Sequence, residues 1–144
     1  MRACRATART LIRIVLTLML LARCGNAAAE WSPVGGEPKI YSAFADRQSV
    51  RTGAGLAQMW GLYDFLIADV TAEGQPHQST VVLREYDCAE PRVRLLAYVD
   101  YAGRMGAGKV ISSAKAGDGR EPAKWEPVVS GSLDEAFRQV ACAQ

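Results

Sequence analysis

A glycine-rich segment late in the chain comes closest to a known chemical motif. It reads Gly103-Arg104-Met105-Gly106-Ala107-Gly108-Lys109 and matches the first seven positions of the phosphate-binding loop G-x-x-x-x-G-K-[ST]. The eighth position is Val110, which has no hydroxyl to bind Mg²⁺, and the following residues predict a strand where the motif requires a helix N-terminus. We therefore expect a flexible turn between two strands and no bound nucleotide or other cofactor.

Side chains that could act as acid, base or nucleophile are sparse and separated. Glu85 and Asp87 lie two residues apart and would share one face of a strand, but nothing in the sequence indicates the burial that an acid/base pair needs. We expect both to be charges on a solvated sheet face. The single histidine, His77, lies in the polar stretch 71–78, which predicts a surface loop and a solvated imidazole. The sequence therefore predicts a non-enzymatic protein with no catalytic, cofactor-binding or metal-ligating residues.

Three arginines on neighbouring predicted strands form the one candidate binding site. Arg84 lies in the strand that ends near Cys88, and Arg92 and Arg94 lie in the next strand. If these strands pair as a hairpin, the guanidinium groups would form a local basic patch for an acidic protein partner. An ordinary solvated face is the alternative.

The charge balance differs between the N-terminal segment and the rest of the chain. The 144 residues include 17 Lys+Arg and 15 Asp+Glu, a formal net charge of +2, but five arginines lie in the first 23 residues, which contain no acidic residue. The remaining 12 basic and 15 acidic residues give a net charge of −3. This charge and the lack of a basic run argue against nucleic acid and anionic membranes as partners.

Residues 1–29 have the pattern of a secretory signal peptide. A cationic start is followed by a nine-residue, largely apolar run, 14–22, and by Ala27-Ala28-Ala29, which predicts cleavage after Ala29. Nine residues are too few to cross a bilayer, which needs about 20, so no transmembrane span is expected in the mature form. A lipoprotein acylated on Cys24 is the alternative, although Arg23 occupies a position where such signals carry a small residue.

Only one pair of cysteines is expected in the mature chain. Cleavage removes Cys4 and Cys24 and leaves Cys88 and Cys142 in an oxidising compartment. We expect one structural disulfide between them. A redox or metal site is not indicated, because neither a Cys-x-x-Cys motif nor a histidine cluster is present in the sequence.

Residues 30–144 are long enough for one domain, and 49% hydrophobic residues are enough for a packed core. Residues 33–38, rich in proline and glycine, predict a leading loop. Runs with strand periodicity predict a small antiparallel sheet of about five to six strands, with runs at residues 39–44, 56–65, 79–86, 92–101 and 109–113.

The end of the chain has helical periodicity. Apolar residues recur at intervals of three and four: Leu133, Ala136, Phe137, Val140 and Ala141. Ser132 and Glu135 have the spacing of a capping box. We therefore predict an α+β domain in which an amphipathic helix, Leu133–Cys142, packs on the antiparallel sheet and is tied to it by the disulfide.

Distinctive residues occur in a characteristic order along this domain. They are Trp31, Tyr41, Asp46-x-x-Ser49, Met59-Trp60-x-Leu62-x-Asp64-Phe65, Ser79, Glu85-Tyr86-Asp87-Cys88, Arg92-x-Arg94, Tyr101, Met105-Gly106-x-Gly108, Trp125, Gly131-Ser132 and Cys142. With these residues the chain resembles the bacterial surface-adhesin protein E family over nearly all of residues 30–144. The resemblance implies a small antiparallel sheet with a C-terminal helix, a Cys88–Cys142 bond and a place in the Gram-negative envelope.

Known relatives are lipid-anchored adhesins that bind host matrix and serum proteins and can dimerise. We therefore expect an exported, periplasmic or secreted protein that binds a host or envelope macromolecule through its sheet surface, with a homodimer compatible with this role. Two alternatives stay open. One is a periplasmic or secreted inhibitor of a lysozyme-type enzyme, and the other is a structural envelope component.

Overall fold

Alternating runs, separated by turns, fold the chain into an antiparallel sheet that one helix covers on one side. The computed structural model describes residues 29–118 and 123–143; residues 1–28, which include Cys24 and nearly all of the predicted signal peptide, lie outside the described residues. The elements are β1 (Trp31–Glu37), β2 (Tyr41–Asp46), β3 (Arg51–Gly53), β4 (Leu56–Val70), β5 (Pro76–Asp87), β6 (Arg92–Tyr101), β7 (Val110–Lys115), β8 (Glu126–Pro127) and α1 (Leu133–Cys142).

Six strands cross the sheet in the order β1-β2-β4-β5-β6-β7, and all of their pairs are antiparallel. The two shortest strands extend it, since β3 pairs with β4 and β8 pairs with β6. The sheet described here therefore has eight strands, and the expected five to six is wrong. Strands of three and two residues are too short to leave a periodic pattern in a sequence.

The segment expected to be a leading loop forms most of β1. Proline and glycine weaken a central strand, but an edge strand and a bulge tolerate both. Strand β1 lies at the edge of the sheet, and its register with β2 shifts between Pro33 and Gly35. The composition of residues 33–38 therefore indicated a loop where the chain forms an irregular edge strand.

Strands β4 and β5 are longer than their sequence patterns indicate. Their register shifts between Asp64 and Asp69 and then resumes. The loop predicted over residues 71–78 is therefore shorter, and His77 is a strand residue with 5% exposure, not a solvated one. Its imidazole meets the ring of Phe65 edge-on, with 5.4 Å between ring centroids.

Helix α1 packs across one side of the sheet, which we call the helix face. Phe137 is 1% exposed and lies over Gly61, where a Cβ atom would come within 3.1 Å of the Phe137 ring. The Tyr63 ring flanks it at a centroid distance of 6.0 Å. The predicted cap is confirmed, because the Ser132 hydroxyl accepts the N–H of Glu135 at 3.2 Å. Among the described residues, no helix has the length and hydropathy needed to cross a membrane.

The C-terminal end of α1 is fixed to the end of β5. Cys88 and Cys142 form the predicted disulfide, with 5.6 Å between their Cα atoms. Arg138 reinforces this connection, since its Nε donates to the carbonyl of Asp87 at 2.7 Å and its Nη2 to that of Cys88 at 2.9 Å. The α+β architecture and the bounds of β6 and α1 are those predicted from the sequence.

Candidate protein-binding face

The side of the sheet opposite α1, which we call the outer face, carries three rows of side chains across β4, β5 and β6. Cross-strand partners share a face, so the pairing register defines each row. The rows are Trp60, Leu83 and Ala97; Gln58, Glu85 and Arg94; and Leu56, Asp87 and Arg92. The first row is apolar and half-buried. The outer face thus places an apolar strip beside two rows that each contain an ion pair.

Glu85 is the centre of the middle row. Its Oε1 accepts a hydrogen bond from Gln58 Nε2 at 2.8 Å, and its Oε2 accepts one from Arg94 Nε at 2.6 Å. Glu85 is 6% exposed and Asp87 is 7% exposed, so the expectation that both lie on a solvated face is wrong. Glu85 and Asp87 can be buried because each is paired with an arginine, since burying a carboxylate is costly unless it is paired and hydrogen-bonded.

Asp87 accepts hydrogen bonds from the Arg92 side chain and from the backbone of the turn that precedes Arg92. Its Oδ1 accepts the N–H groups of Ala89 and Glu90 at 2.9 and 3.0 Å, and its Oδ2 accepts Arg92 Nε and Nη2 at 2.9 and 2.8 Å. The N–H of Glu90 and the Arg92 guanidinium hold the pKa of Asp87 below its ordinary value of 3.8. Among the described residues, no group of three His, Cys, Asp or Glu side chains is placed to hold a metal ion.

Trp125 packs against both outer-face arginines. Strand β8 pairs Glu126 with Val93, and this register brings the preceding residue, Trp125, beside Arg94. The guanidinium carbons of Arg94 and Arg92 lie 4.5 and 4.9 Å from the centroid of the Trp125 ring. A cation–π contact contributes roughly 0.5–1 kcal/mol at an exposed site. Each arginine is thus fixed by a carboxylate and by an aromatic ring.

Arg84 lies on the helix face, apart from the other two arginines of the predicted patch. Its Nη1 donates to the Tyr63 hydroxyl at 2.8 Å and also bonds the carboxylate of Asp134 at the start of α1. Burial raises the pKa of the Tyr63 hydroxyl, which therefore stays protonated near neutral pH. A cleft of about 320 Å³ beside β6 has both Arg84 and Arg94 in its walls. The structure thus groups Arg92 with Arg94 and uses Arg84 to connect α1 to the sheet.

The glycine-rich segment 103–108 folds back over the far end of the outer face. Asp64 Oδ1 accepts the N–H of Met105 at 2.7 Å, and the Ser79 hydroxyl accepts the N–H of Gly106 at 2.9 Å. Asp64 and Ser79 are 2% and 0% exposed beneath this cover. Two N–H groups that a phosphate-binding loop would direct at a phosphate are therefore bonded to the protein itself. The segment is a fixed cover and not an open turn.

Comparison with known proteins identifies the family of this chain. A family model described as surface-adhesin protein E matches residues 31–143. The chain belongs to the surface-adhesin protein E family. The matched span contains the whole described sheet, helix α1 and every residue of the outer-face rows.

Solved structures of protein E from Haemophilus influenzae have the same fold. One, from a non-typeable strain, matches with a TM-score of 0.56 and 11% identity over 82% of this chain and 78% of its own. A second matches with a TM-score of 0.58 and 11% identity over 82% of this chain and 87% of its own. At such identities the likeness concerns the fold alone. No curated protein sequence matches the chain significantly.

In this adhesin E domain, the sequence indicates Arg92 and Arg94 as a candidate site but not the aromatic ring that packs against them. Alternation along β4 indicates that Trp60 and Gln58 share a face, but only the register shows that Arg94 lies on the same face. Trp125 is among the residues that carry the family resemblance, but its contact with the arginines has no signal in the sequence, because it precedes a strand of only two residues. Its position depends on the β6–β8 pairing, which no local pattern predicts.

Proposed function

We propose that this protein is an exported, adhesin-like envelope protein that binds a protein partner through the outer face. The family supports an adhesin-like role, and the sequence pattern of residues 1–29 supports export. The observation that carries the proposal is the arrangement of Arg92 and Arg94. Their side chains are 42% and 31% exposed, yet both are fixed by carboxylates and by Trp125.

Tryptophan and arginine are the residue types that most often dominate the binding energy of protein interfaces. Holding such side chains in place before binding reduces the entropy lost on association. On the outer face, Asp87 and Glu85 hold the two arginine side chains in place. The half-buried Trp60 row offers apolar area next to them. Because each guanidinium already has a carboxylate partner, we infer a partner with a mixed apolar and polar surface and not a polyanion.

We propose no catalytic role for this face. Glu85, Asp87 and Asp64 each accept hydrogen bonds from an arginine, so none of the three presents a free carboxylate to a substrate. The geometry supports recognition, in which charged groups are held still, better than proton transfer, in which one of them must exchange a proton.

Two mature forms of this protein are compatible with its N-terminal sequence, and they differ in where the protein is located. We propose a soluble periplasmic or secreted form that begins at Glu30, with an outer-membrane lipoprotein acylated on Cys24 as the alternative. Intact-mass measurement on protein isolated from the producing cell decides between them. A chain that begins at Glu30 supports the soluble form, and a diacylated Cys24 contradicts it.

The adhesin role is tested by direct binding. The full chain, expressed with its own N-terminal segment and purified after export, is titrated over immobilised vitronectin and laminin, with an unrelated exported protein of similar size as the control. Saturable binding to one of them above the control supports the proposal, and no binding to either contradicts the adhesin role.

A further inference from the structure

The glycine-rich segment 103–108, which we call the cover, lies on an apolar row of the outer face. This row is the neighbour of the row that contains Trp60, and its members are Leu62, Val81 and Val99. Leu62 is 0% exposed, although α1 lies on the opposite side of the sheet. A Cβ atom on Gly106 would come within 3.3 Å of Val81, so the cover rests directly on this row. The cover therefore hides apolar surface that continues the apolar strip of the outer face.

Two side chains of the sheet hold the cover closed. Asp64 accepts the N–H of Met105 on one carboxylate oxygen and the guanidinium of Arg104 on the other. The Ser79 hydroxyl, which accepts a second N–H of the cover, also donates to the carbonyl of Gly103 at 2.6 Å. No residue in the helical turn of the cover is itself buried. The cover is therefore attached to the sheet mainly by polar contacts.

The cover is also a self-contained turn that stores backbone strain. Met105 has a φ of 55°, in the left-handed region that is strained for a residue with a Cβ atom. The N–H of Gly103 donates to the carbonyl of Ala107 at 3.0 Å, and the N–H of Ala102 donates to the carbonyl of Lys109 at 2.9 Å. These bonds lie within the turn and at its base, so the turn can move away from the sheet without breaking them.

We propose that the cover opens as a unit while the rest of the domain stays folded, and that opening adds the Leu62 row to the apolar strip of the outer face. Segments with few buried apolar contacts open at a lower free energy than the whole domain. In the closed state the cover limits the apolar area that a partner can contact, so it is an autoinhibitory element. This consequence for recognition rests on the proposed function, whereas the opening itself does not.

Opening is tested by labelling a thiol beneath the cover with iodoacetamide, in the full-length exported protein with its disulfide intact. Leu62→Cys places the thiol there. Met59→Cys is the matched control, because Met59 lies on the same strand, is also 0% exposed and belongs to the core on the helix face. After each rate is corrected for the free energy of unfolding of that variant, we expect Leu62→Cys to react at least tenfold faster than Met59→Cys. Equal corrected rates overturn the proposal, because only global unfolding would then expose the thiol.

A second substitution assigns this reactivity to the cover. Asp64→Asn keeps the shape of the side chain but removes the charge that strengthens its hydrogen bonds to Arg104. It is expected to raise the corrected labelling rate of Leu62→Cys at least tenfold further and to leave that of Met59→Cys unchanged. An equal effect at both positions, or no effect at Leu62→Cys, overturns the proposal.

Hydrogen exchange of the natural chain tests the same opening without a substitution. The amides of Met105 and Gly106 donate to Asp64 and Ser79, so they lose these acceptors whenever the cover opens. We expect their protection against exchange to be at least tenfold lower than that of the most protected amides of β4 and β5. Equal protection of the cover and the strands overturns the proposal. Neither measurement uses a binding partner, so failure of the chain to bind vitronectin or laminin is a separate result that contradicts only the proposed function.

Discussion

Replacing Cys88 and Cys142 together by alanine is expected to lower the free energy of unfolding by about 4 kcal/mol. The disulfide joins residues 54 positions apart, and the chain-entropy relation gives about 4 kcal/mol for a loop of that length. Small domains are stable by only about 5–15 kcal/mol in total. The bond is therefore expected to supply a large share of the stability of this protein.

The assay is urea unfolding of the oxidised protein and of the double alanine variant, followed by tryptophan fluorescence. Arg138 still ties α1 to the carbonyls of Asp87 and Cys88 in the variant, since those bonds use the backbone and not the sulfur. We therefore expect the variant to fold with the same helix content and to unfold cooperatively at a lower urea concentration. The reduced natural protein should unfold close to the variant.

Two results would contradict this role of the disulfide. A loss below about 1 kcal/mol would show that loop closure in the unfolded chain is not the main contribution of the bond. Loss of the helical circular dichroism signal in the variant, without denaturant, would show that packing and Arg138 do not hold α1 on the sheet by themselves.

Three further predictions use the same unfolding measurement. Phe137→Ala should cost about 3–5 kcal/mol, because it empties a site that is 1% exposed under α1, and a loss below about 1 kcal/mol would show that this side chain is not part of the core. Gly36→Ala should cost about 1–3 kcal/mol, since φ is +144° and a Cβ atom would lie 2.4 Å from the carbonyl oxygen of Tyr41; Gly53→Ala, with nothing within 4 Å, is its control, and equal stabilities would contradict the clash. Asp87→Asn should destabilise the protein at pH 7, because the folded-state pKa of Asp87 is lowered and its contribution is present above 3.8 and lost as the pH falls through the folded-state value. A difference between Asp87→Asn and the natural protein that does not shrink as the pH is lowered below 3.8 would rule out this linkage.

The parts of the fold that the sequence predicted are those with long periodic patterns. Strand β6 alternates over its length, and α1 combines a cap at Ser132 with apolar residues on one face, so both were placed at their observed bounds. Strand β1 was not predicted, because its proline and glycines are typical of a loop and are compatible with a strand only at the edge of a sheet. His77 was misplaced because the polar composition around it concealed a strand that begins at Pro76.

The candidate site was predicted only in part, because it depends on register. Alternation indicates that Arg92 and Arg94 share a face, but it does not say which residues of β5 lie opposite them. The register gives Arg94 a nearly buried Glu85 and leaves Arg84 on the other face. The pairing between β6 and β8 brings Trp125 next to Arg94. A strand of two residues leaves no pattern in the sequence from which this pairing could be predicted.

Binding of a protein partner by the outer face is tested by measuring the affinity of Trp125→Ala for immobilised vitronectin and laminin. Truncating a central aromatic contact of an interface commonly costs 2 kcal/mol or more, so we expect the Kd to rise at least tenfold. Arg47→Ala is the control, because Arg47 is exposed beside α1, away from the outer face. A Kd that rises for Trp125→Ala and not for Arg47→Ala, with both variants equally folded, is the predicted result. Unchanged binding by a folded Trp125→Ala variant would contradict binding through the outer face.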